Sequence, residues 1–346
     1  MTAAWPGIAA GLLFLASLPC SFSQPASPNA QTAQADALQH ATFYRIGSAA
    51  DAATHPRAGY ALMGGGTDLD EAFRWLCERA DRGDLVVLRA SGDDAYNPYI
   101  QGLCQLSSVT TVVIPGREAA REPKVAETIR SAEAIFIAGG DQAKYTRFWR
   151  GTPVESALRE AVKRGISIGG TSAGLAVMGE FIYSAEGDKP DDPNLSSDTA
   201  LADPFNRQVV VSPDLLGIPI LRGLITDSHF DTRKRIGRLM VFMARILQSG
   251  QATQIRGVGI AEKTALLVEA DGQAHVAGKG AAQFFEMSNK TLSCKLGEPL
   301  QIKDVQATDV RSGESFDLKT WKGPEKMFDV SVILRDGKPD ISMTWH

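Results

Sequence analysis

The sequence predicts an α/β protein whose central parallel sheet carries helices on both faces. Short continuous apolar runs rich in Val and Ile lie at residues 85–88, 111–114 and 134–138, and segments of helical periodicity separate them. Strands of a parallel sheet have this character because both of their faces are buried. Strands that alternate with helices in this way form sheets whose ligands bind at the carboxyl ends of the strands.

The first elements of this pattern lie between residues 60 and 80. A strand is predicted at residues 60–63, and it ends at the glycine run Gly64-Gly65-Gly66. Asp68 is expected to cap the helix that follows, with Glu71 as its partner in a capping box. The glycine run lacks the G-x-G-x-x-G spacing of a dinucleotide site, so no such site is predicted.

A longer helix is predicted to begin at Thr152 and to end at Gly165. Threonine is a favoured cap, the proline after it suits the first turn, and glycine commonly stands just past a helix end. A strand at residues 166–168 follows directly. The catalytic domain as a whole is predicted at residues 41–295.

The pattern changes after about residue 257, where strands joined by hairpins replace the alternation. Runs at 257–260, 264–268 and 275–277 are predicted strands, with Asp271-Gly272 as a hairpin turn. Residues 296–346 are predicted to form a small C-terminal β extension. No second hydrophobic core is apparent in the pattern, so one elaborated domain is expected.

The composition excludes several classes of protein. The chain has 346 residues, of which 44% are hydrophobic and 22% charged, and its formal net charge is −4. This composition is globular, and the absence of a basic excess argues against a nucleic-acid partner. No C-x-x-C, H-E-x-x-H or Walker A pattern occurs, so neither a metal nor another cofactor is expected.

The N-terminus is predicted to be a signal peptide at residues 1–23, cut after Ser23. Residues 7–18 are apolar but too few to span a membrane, and small residues precede the cut. A lipoprotein cut before Cys20 and an uncleaved apolar tail are the alternatives. Residues 24–40 then form a flexible lead-in, and the mature protein is expected to be secreted or periplasmic, with no membrane association.

Three cysteines remain after the predicted cleavage, namely Cys77, Cys104 and Cys294. Cys77 and Cys104 are candidates for a disulfide in an oxidising compartment, although the sequence alone does not decide the pairing.

Ser172 is the candidate nucleophile. It lies in Gly170-Thr171-Ser172-Ala173-Gly174, after a predicted strand and before a predicted helix. This is the G-x-S-x-G context of a nucleophile elbow, in which small neighbours permit a sharp turn that exposes the hydroxyl. The free N–H groups at the start of the helix would stabilise an oxyanion. A glycine-rich turn that contains an ordinary serine is the alternative.

His229 is the candidate base for this serine. It lies in Thr226-Asp227-Ser228-His229-Phe230, at the end of a predicted strand, where parallel sheets present catalytic groups. An esterase of the α/β-hydrolase type that uses His275 is an alternative, as is a structural role for His229. The remaining histidines are less suited by position: His40, His55 and His346.

Charged and glycine-rich segments near these residues are candidate binding elements. Arg235 and Arg238 share one face of a predicted helix and could anchor an acidic substrate through bidentate contacts, although a solvated basic face is the alternative. Gly139-Gly140-Asp141 ends another predicted strand, where backbone N–H groups could serve an oxyanion or a phosphate.

Taken together, these segments resemble the cyanophycinase group of serine peptidases, which is related to the aspartyl dipeptidases. The resemblance covers roughly residues 60–318. It rests on Gly139 to Gln142, Gly170 to Gly174, Asp227 to Phe230 with Arg233, Arg235 and Arg238, Gly257 to Ala265, and the tail from Asp304 to Leu318.

The resemblance implies a flavodoxin-like sheet, similar to that of class I glutamine amidotransferases, with Ser in place of their Cys. It implies Ser172 as nucleophile and His229 as general base, with Glu262 as the acid and Glu186 as its rival. The implied oxyanion hole comprises Gly140, Asp141 and Ala173. The implied substrate-binding residues are Gln142, Asp227, Arg233, Arg235 and Arg238.

Cyanophycinases cleave cyanophycin, a poly-aspartate chain with Arg on each β-carboxyl, to β-Asp-Arg dipeptides, and the resemblance implies this polymer as substrate. An aspartyl or isoaspartyl dipeptidase with the same machinery is the alternative, and a non-catalytic binding module is another. The sequence departs from the family at Ser228, where Gln is expected, at Asp231-Thr232, where Ser-Gln is expected, and at residues 188–207, which look like an insertion. A homodimer is a possible assembly for this chain.

Overall fold

The computed structural model describes Met1 and residues 40–52, 54–188 and 194–346. The predicted signal peptide and nearly all of the lead-in lie outside the described residues. The strands are β1 Thr42–Gly47, β2 Gly59–Met63, β3 Asp84–Arg89, β4 Ser108–Val113, β5 Ala134–Ile137, β6 Ser167–Thr171, β7 Phe181–Tyr183, β8 Val211–Pro213, β9 Leu224–Asp227, β10 Gln254–Ile260, β11 Thr264–Glu269, β12 Gln273–Gly278, β13 Ala281–Ser288, β14 Leu292–Ser293, β15 Gln301–Arg311, β16 Ser315–Asp317, β17 Met327–Arg335 and β18 Lys338–Trp345. The helices are α1 Asp70–Arg79, α2 Tyr96–Leu103, α3 Pro123–Arg130, α4 Gln142–Trp149, α5 Pro153–Arg164, α6 Ala173–Ala176, α7 Ser197–Ala202 and α8 Ile236–Gln248.

The first sheet runs in the order β1-β4-β3-β5-β6-β2-β11-β12-β16. Its five central strands, β4, β3, β5, β6 and β2, are parallel, and the predicted apolar runs lie in them. Counted from β3, the first four of these strands keep the 2-1-3-4 order of a flavodoxin-like sheet, and β2 takes the place of the fifth strand. The predicted α/β fold class is therefore confirmed.

Helices cover both faces of this sheet. Phe73 of α1 and Ile100 of α2 pack on one face, whereas Ile129 of α3 and Leu158 of α5 pack on the other. The predicted limits of α5 are confirmed, because the Thr152 side chain accepts from the Val154 amide and Gly165 ends the helix with a φ of 75°. The sheet is thus buried on both sides, as its continuous apolar strands require.

The predicted cap of α1 is wrong. The helix begins at Asp70, and its cap residue, Leu69, makes no side-chain bond to the helix. Asp68 instead accepts from the Thr171 hydroxyl and from the Tyr96 hydroxyl, at 2.6 Å each. The Asp68 carboxylate, which the local sequence pattern predicts to cap α1, is therefore hydrogen-bonded to hydroxyls of two other elements. These bonds connect α2 to the end of β6.

A second sheet runs in the order β18-β17-β15-β13-β10-β9-β7-β8. Strand β9 is parallel to β10 and to β7, and the other pairs along this path are antiparallel. Of the strands after residue 296, predicted as a β extension, β15, β17 and β18 continue this sheet from β13, whereas β16 pairs with β12 at the edge of the first sheet. The strand before His229 was predicted and corresponds to β9, but the sequence did not assign it to a second sheet, because its partner β7 is only three residues long.

The second sheet has a hydrophobic core on each face. Phe284 of β13 faces the cluster that it shares with the first sheet, whereas the next residue, Phe285, faces a separate cluster built around α8. Successive residues of a strand point to opposite faces, so one strand contributes to both clusters. The sequence pattern did not indicate the cluster around α8.

Cys77 of α1 and Cys104, which follows α2, form a disulfide, and Cys294 is buried as a free thiol. The bond joins two helices that cover the same face of the first sheet. Within the described part of the chain, no helix has both the length and the apolar character needed to cross a membrane.

Candidate active site

Ser172 lies at a sharp turn between β6 and α6. Its φ is 52° and its ψ is −111°, a backbone conformation that residues other than glycine rarely adopt. Two glycines make this turn possible. A Cβ at Gly170 would lie 2.5 Å from the Gly174 carbonyl carbon, and a Cβ at Gly174 would lie 2.0 Å from the Ile137 oxygen. The chain therefore forms the elbow that the G-x-S-x-G spacing predicts.

His229 follows β9, and its ring reaches the serine. Its Nε2 lies 2.8 Å from the Ser172 Oγ. The His229 backbone amide donates to the Gly64 carbonyl at 2.7 Å, and the next amide, of Phe230, donates to the Ile260 carbonyl at 3.1 Å. These two bonds attach the turn that carries the imidazole to the glycine run on one side and to β10 on the other.

Glu262 follows β10 and completes the chain of hydrogen bonds. Its Oε1 lies 2.5 Å from His229 Nδ1, and its backbone amide donates to Asp231 Oδ1 at 3.0 Å. Glu186, the rival acid, follows β7, where its backbone carbonyl accepts from Arg147. Because Glu262 is bonded to the imidazole nitrogen that faces away from the serine, the geometry favours Glu262 over Glu186.

The electrostatic surroundings of this imidazole favour its uncharged form. Burial lowers the pKa of His229, the hydrogen bond to Glu262 opposes that shift, and the charges of Arg233 and Arg235 lower the pKa further. The pKa of Glu262 is lowered chiefly by its hydrogen bond with His229. A carboxylate on Nδ1 fixes the tautomer in which Nε2 accepts the serine proton.

The glycine run after β2 packs against His229 and Glu262. Gly65 has a φ of 92°, and a Cβ there would lie 2.6 Å from His229 Nε2. At Gly66 a Cβ would lie 3.1 Å from Glu262 Oε2. Side chains at these positions would displace the imidazole and the carboxylate. Sequence reasoning missed this role, although the position of the run at the carboxyl end of a parallel strand was a usable signal.

Ser172 and His229 open into a cavity of about 630 Å³, termed here the active-site cavity. Among the residues predicted to bind substrate or an oxyanion, it is lined by Gly140, Asp141, Gln142, Arg233, Arg235 and Arg238. It is also lined by residues that the sequence did not single out for a role: Ala143, Arg147, Tyr183, Ala185, Asp188, Asn194 and Ser228. Arginine and aspartate side chains thus both line this cavity.

The predicted oxyanion residues lie beside the serine. A Cβ at Gly139 would lie 3.6 Å from the Ser172 Cβ, so the glycine turn after β5 passes next to the elbow. Gly140 has a φ of 149°, and Asp141 caps α4 by accepting from the Ala143 amide at 2.9 Å. Ala173 follows the serine directly as the first residue of α6.

Asp227 lies behind the cavity wall and holds two of its arginines. It is 2% exposed, and its carboxylate accepts from Arg238 Nε at 2.7 Å, Arg238 Nη2 at 2.5 Å and Arg235 Nη1 at 3.3 Å. Burial alone would raise the pKa of Asp227, but the guanidinium charges and hydrogen bonds outweigh burial and lower it. The structure therefore places Asp227 as a support for these arginines, although it was predicted to bind substrate.

Arg235 lines the active-site cavity with part of its guanidinium free of hydrogen bonds to the described residues. Its Nη1 donates to the Ser228 carbonyl at 2.8 Å, whereas its Nε and Nη2 have no hydrogen-bond partner within the described part of the chain. Burial lowers the pKa of Arg235 to about 10, so the group stays charged at neutral pH. A carboxylate that enters the cavity would find two aligned N–H donors there.

An acidic cluster lies at the opposite edge of the first sheet. Oxygens of Asp51, Asp84 and Glu133 lie within 4.8 Å of one another. Asp84 accepts from the Ser108 hydroxyl at 2.7 Å, and Glu133 accepts from the Asp84 amide at 2.7 Å. These bonds tie Asp84 and Glu133 into the fold.

A serine at a strand-to-helix turn, bonded through an imidazole to a carboxylate, is the arrangement of serine hydrolases. The model of peptidase family S51 matches residues 105–276 of this chain. A cyanophycinase from Synechococcus elongatus is 30% identical over 218 residues, which is 61% of each chain. A cyanophycinase from Trichormus variabilis is 29% identical over 207 residues, 58% of this chain and 62% of that one.

A solved structure of a peptidase from an acI-B1 Actinobacterium covers 76% of this chain and 98% of its own, with 19% identity and a TM-score of 0.48. The predicted resemblance to the cyanophycinase-like serine peptidases of family S51 is thus confirmed. The alignments with the two cyanophycinases span less than two thirds of their lengths.

Proposed function

We propose that this protein is an exported serine-type exopeptidase that hydrolyses cyanophycin to β-Asp-Arg dipeptides through an acyl-enzyme. The observation that carries the proposal is the hydrogen-bonded chain of Ser172, His229 and Glu262, which opens into a cavity lined by both arginine and aspartate side chains. The related cyanophycinases support the choice of polymer.

The first half of the reaction transfers an acyl group to the serine. His229 Nε2 takes the Ser172 proton as Oγ attacks the scissile carbonyl carbon. Glu262 stabilises the imidazolium that results, through Nδ1. When the C–N bond breaks, the imidazolium returns the proton to the leaving amine and Ser172 Oγ remains bonded to the acyl group.

The second half reverses these roles with water. His229 Nε2 takes a proton from the water that attacks the ester carbon, and then returns a proton to Ser172 Oγ as the carboxylic acid leaves. In both halves the carbonyl oxygen carries negative charge in the transition state. The backbone N–H groups of Gly140, Asp141 and Ala173 are the proposed donors to that oxygen.

Charge complementarity supports the proposed substrate. Each repeat unit of cyanophycin carries one guanidinium and one carboxylate. The part of the Arg235 guanidinium that is free of hydrogen bonds suits the carboxylate, and Asp141, which is exposed at the cavity, suits the guanidinium of the substrate. A substrate with only one kind of charge would leave part of this lining unpaired.

Two observations support export. The N-terminal apolar run at residues 7–18, followed by small residues, is typical of a signal peptide. The disulfide between Cys77 and Cys104 is typical of proteins that fold in an oxidising compartment. N-terminal sequencing of protein recovered outside the cytoplasm tests the proposal, and the expected first residue is Gln24.

Digestion of insoluble cyanophycin with product analysis tests the proposed substrate. Release of β-Asp-Arg from the polymer is the expected result. Cleavage of short Asp-X dipeptides with no release from the polymer would replace the proposal by the aspartyl dipeptidase alternative. Labelling of Ser172 by an active-site serine probe separates both enzymes from a non-catalytic binding module.

Removal of the Ser172 hydroxyl has the largest expected effect on turnover. Ser172→Ala should lower kcat by about 10⁴-fold or more, because the nucleophile is lost while the fold is kept. Circular dichroism of the variant serves as the control for folding. Near-full activity in Ser172→Ala would contradict the mechanism.

A further inference from the structure

A second cavity of about 630 Å³ lies on the other side of the segment that carries His229. We call it the lateral cavity, and we define it by Phe230, Asp231, Lys234, Ile236, Lys279 and Met343. It shares no lining residue with the active-site cavity.

The two cavities share one wall, and residues of that wall face them alternately. Ser228 and His229 line the active-site cavity, and the next pair, Phe230 and Asp231, lines the lateral cavity. Farther along, Arg233, Arg235 and Arg238 face the first cavity, whereas Lys234 and Ile236 face the second. One segment of chain therefore separates the reacting serine from a second binding space.

The lateral cavity is lined by one ion pair, Arg311 with Asp309 at 2.9 Å, and by three further charged side chains that lie outside it, Asp231, Lys234 and Lys279. Within the described residues, Lys234 and Lys279 form no ion pair. Asp231 is exposed, and its Oδ1 accepts a hydrogen bond from the Glu262 amide at 3.0 Å, whereas its Oδ2 accepts none within the described residues. Two ammonium groups and a carboxylate oxygen are thus open to a ligand.

Apolar surface lies between these charges. Phe230 and Ile236 line one side, and Met343 of β18 is 48% exposed on another. The methylene stem of an arginine packs well on apolar surface while its guanidinium reaches a carboxylate. A ligand that combines an arginine stem, a guanidinium and a carboxylate matches the whole lining.

We propose that the lateral cavity is an exosite for a distant segment of the same polymer whose end is cleaved at Ser172. The proposal rests on the proposed function, because the polymer supplies repeated Arg and carboxylate groups. Asp231 would bind a guanidinium, Lys234 and Lys279 would bind carboxylates, and Phe230 and Met343 would contact the methylene stems.

The spacing of the cavities sets the length of substrate that can use both. The wall is one polypeptide segment thick, on the order of 10 Å with its side chains. An extended substrate backbone advances about 3.5 Å per residue, so at least about three residues are needed to pass from the scissile bond to the lateral cavity. A two-unit substrate therefore ends before the exosite, whereas a long polymer occupies both cavities and gains affinity from the second contact.

Binding and turnover are measured separately to test the exosite. Ala281 also lines the lateral cavity. In a Ser172→Ala background, Lys279→Glu reverses one charge and Ala281→Trp fills the cavity, and each should weaken co-sedimentation with insoluble polymer by about fivefold or more. Lys303→Glu changes an exposed lysine elsewhere on the second sheet and should leave binding unchanged.

In the active protein, the same two substitutions should raise KM for long polymer by a similar factor and leave kcat/KM for a two-unit substrate within about twofold of the wild type. Equal effects on both substrates, unchanged co-sedimentation, or dissociation of a dimer in Ala281→Trp on gel filtration would each overturn the exosite. Failure of the proposed function is recognised independently, because it requires that the wild type releases no β-Asp-Arg from polymer.

Discussion

The two sheets supply the catalytic residues in different ways. The first sheet presents Ser172 through a strained backbone turn that is set within five residues of sequence. The second sheet presents His229 and Glu262, which follow two neighbouring strands, β9 and β10, and reach the serine only because the sheets pack together. The nucleophile is therefore fixed locally, whereas the base and the acid are fixed by tertiary contacts.

The glycine run is the point at which the two sheets meet. The Gly64 carbonyl accepts from the His229 amide at 2.7 Å, and the Gly65 carbonyl accepts from the Lys263 amide at 2.9 Å. These bonds hold the backbone of His229, and the backbone of Lys263 next to Glu262, against the end of β2. Changes on the second sheet or at this junction should lower activity without altering the elbow.

Among the residues that tertiary contacts position, the largest effect is expected at the acid. Glu262→Gln should lower kcat by about 10³–10⁴-fold, because a neutral amide neither stabilises the imidazolium nor fixes the required tautomer. Steady-state kinetics on polymer measures the change. Glu186→Gln is the matched control and should retain activity near the wild type, and a greater loss in Glu186→Gln than in Glu262→Gln would reverse the assignment of the acid.

Asp227→Asn tests the support beneath the cavity arginines. It should lower the free energy of unfolding by about 3–5 kcal/mol, because Arg238 would be left as a buried charge without its partner. The lowered pKa of Asp227 implies that its share of stability is present at neutral pH and is lost as the pH falls through that pKa. Urea denaturation at neutral pH measures the change. An unfolding free energy equal to that of the wild type would show that the arginines do not depend on this carboxylate.

Gly65→Ala probes the junction of the sheets. Its Cβ would lie 2.6 Å from the His229 ring, so the imidazole must shift, and kcat should fall by about 10²-fold. Gly297→Ala is the matched control, since Gly297 also has a positive φ of 78° but has no neighbour within 4 Å of its Cβ position. An equal loss of kcat in Gly65→Ala and Gly297→Ala would show that backbone strain, and not contact with the His229 ring, lowers activity.

The smallest effect is expected in the pH profile. The uncharged imidazole is the active form, so kcat/KM should fall as the pH decreases through the lowered pKa of His229, below the ordinary value of about 6.5. Arg233→Gln removes a nearby positive charge and should move this acid limb to higher pH. The pH dependence of kcat/KM measures the limb, and a limb that moves to lower pH in Arg233→Gln would contradict the electrostatic account.

The same contrast explains what could be predicted from the sequence. The parallel strands and the elbow were predictable, because continuous apolar runs and the G-x-S-x-G spacing are local signals. His229 was singled out by its place after a strand, although nothing in its neighbourhood states that its ring meets Ser172. Glu262 and Glu186 stayed alternatives because the choice depends on which carboxylate the fold brings to Nδ1.

Other features depend on contacts that a single sequence does not encode locally. Asp68 has the spacing of a helix cap, yet hydroxyls from β6 and α2 take its carboxylate. Arg147 and Asp188 line the active-site cavity from α4 and from the segment after β7, and neither has a distinctive pattern around it. The second sheet was missed because its strands pair across long separations, from β7 to β18.

The division of the reacting atoms between two sheets has a consequence for inactivation. A relative shift of about 1 Å between the sheets is enough to cost about 10²-fold in rate, although each sheet would keep its internal hydrogen bonds. Mild heat or denaturant should thus abolish activity before the circular dichroism of the protein changes. Cooling, or dilution of the denaturant, should restore activity without refolding from the unfolded chain.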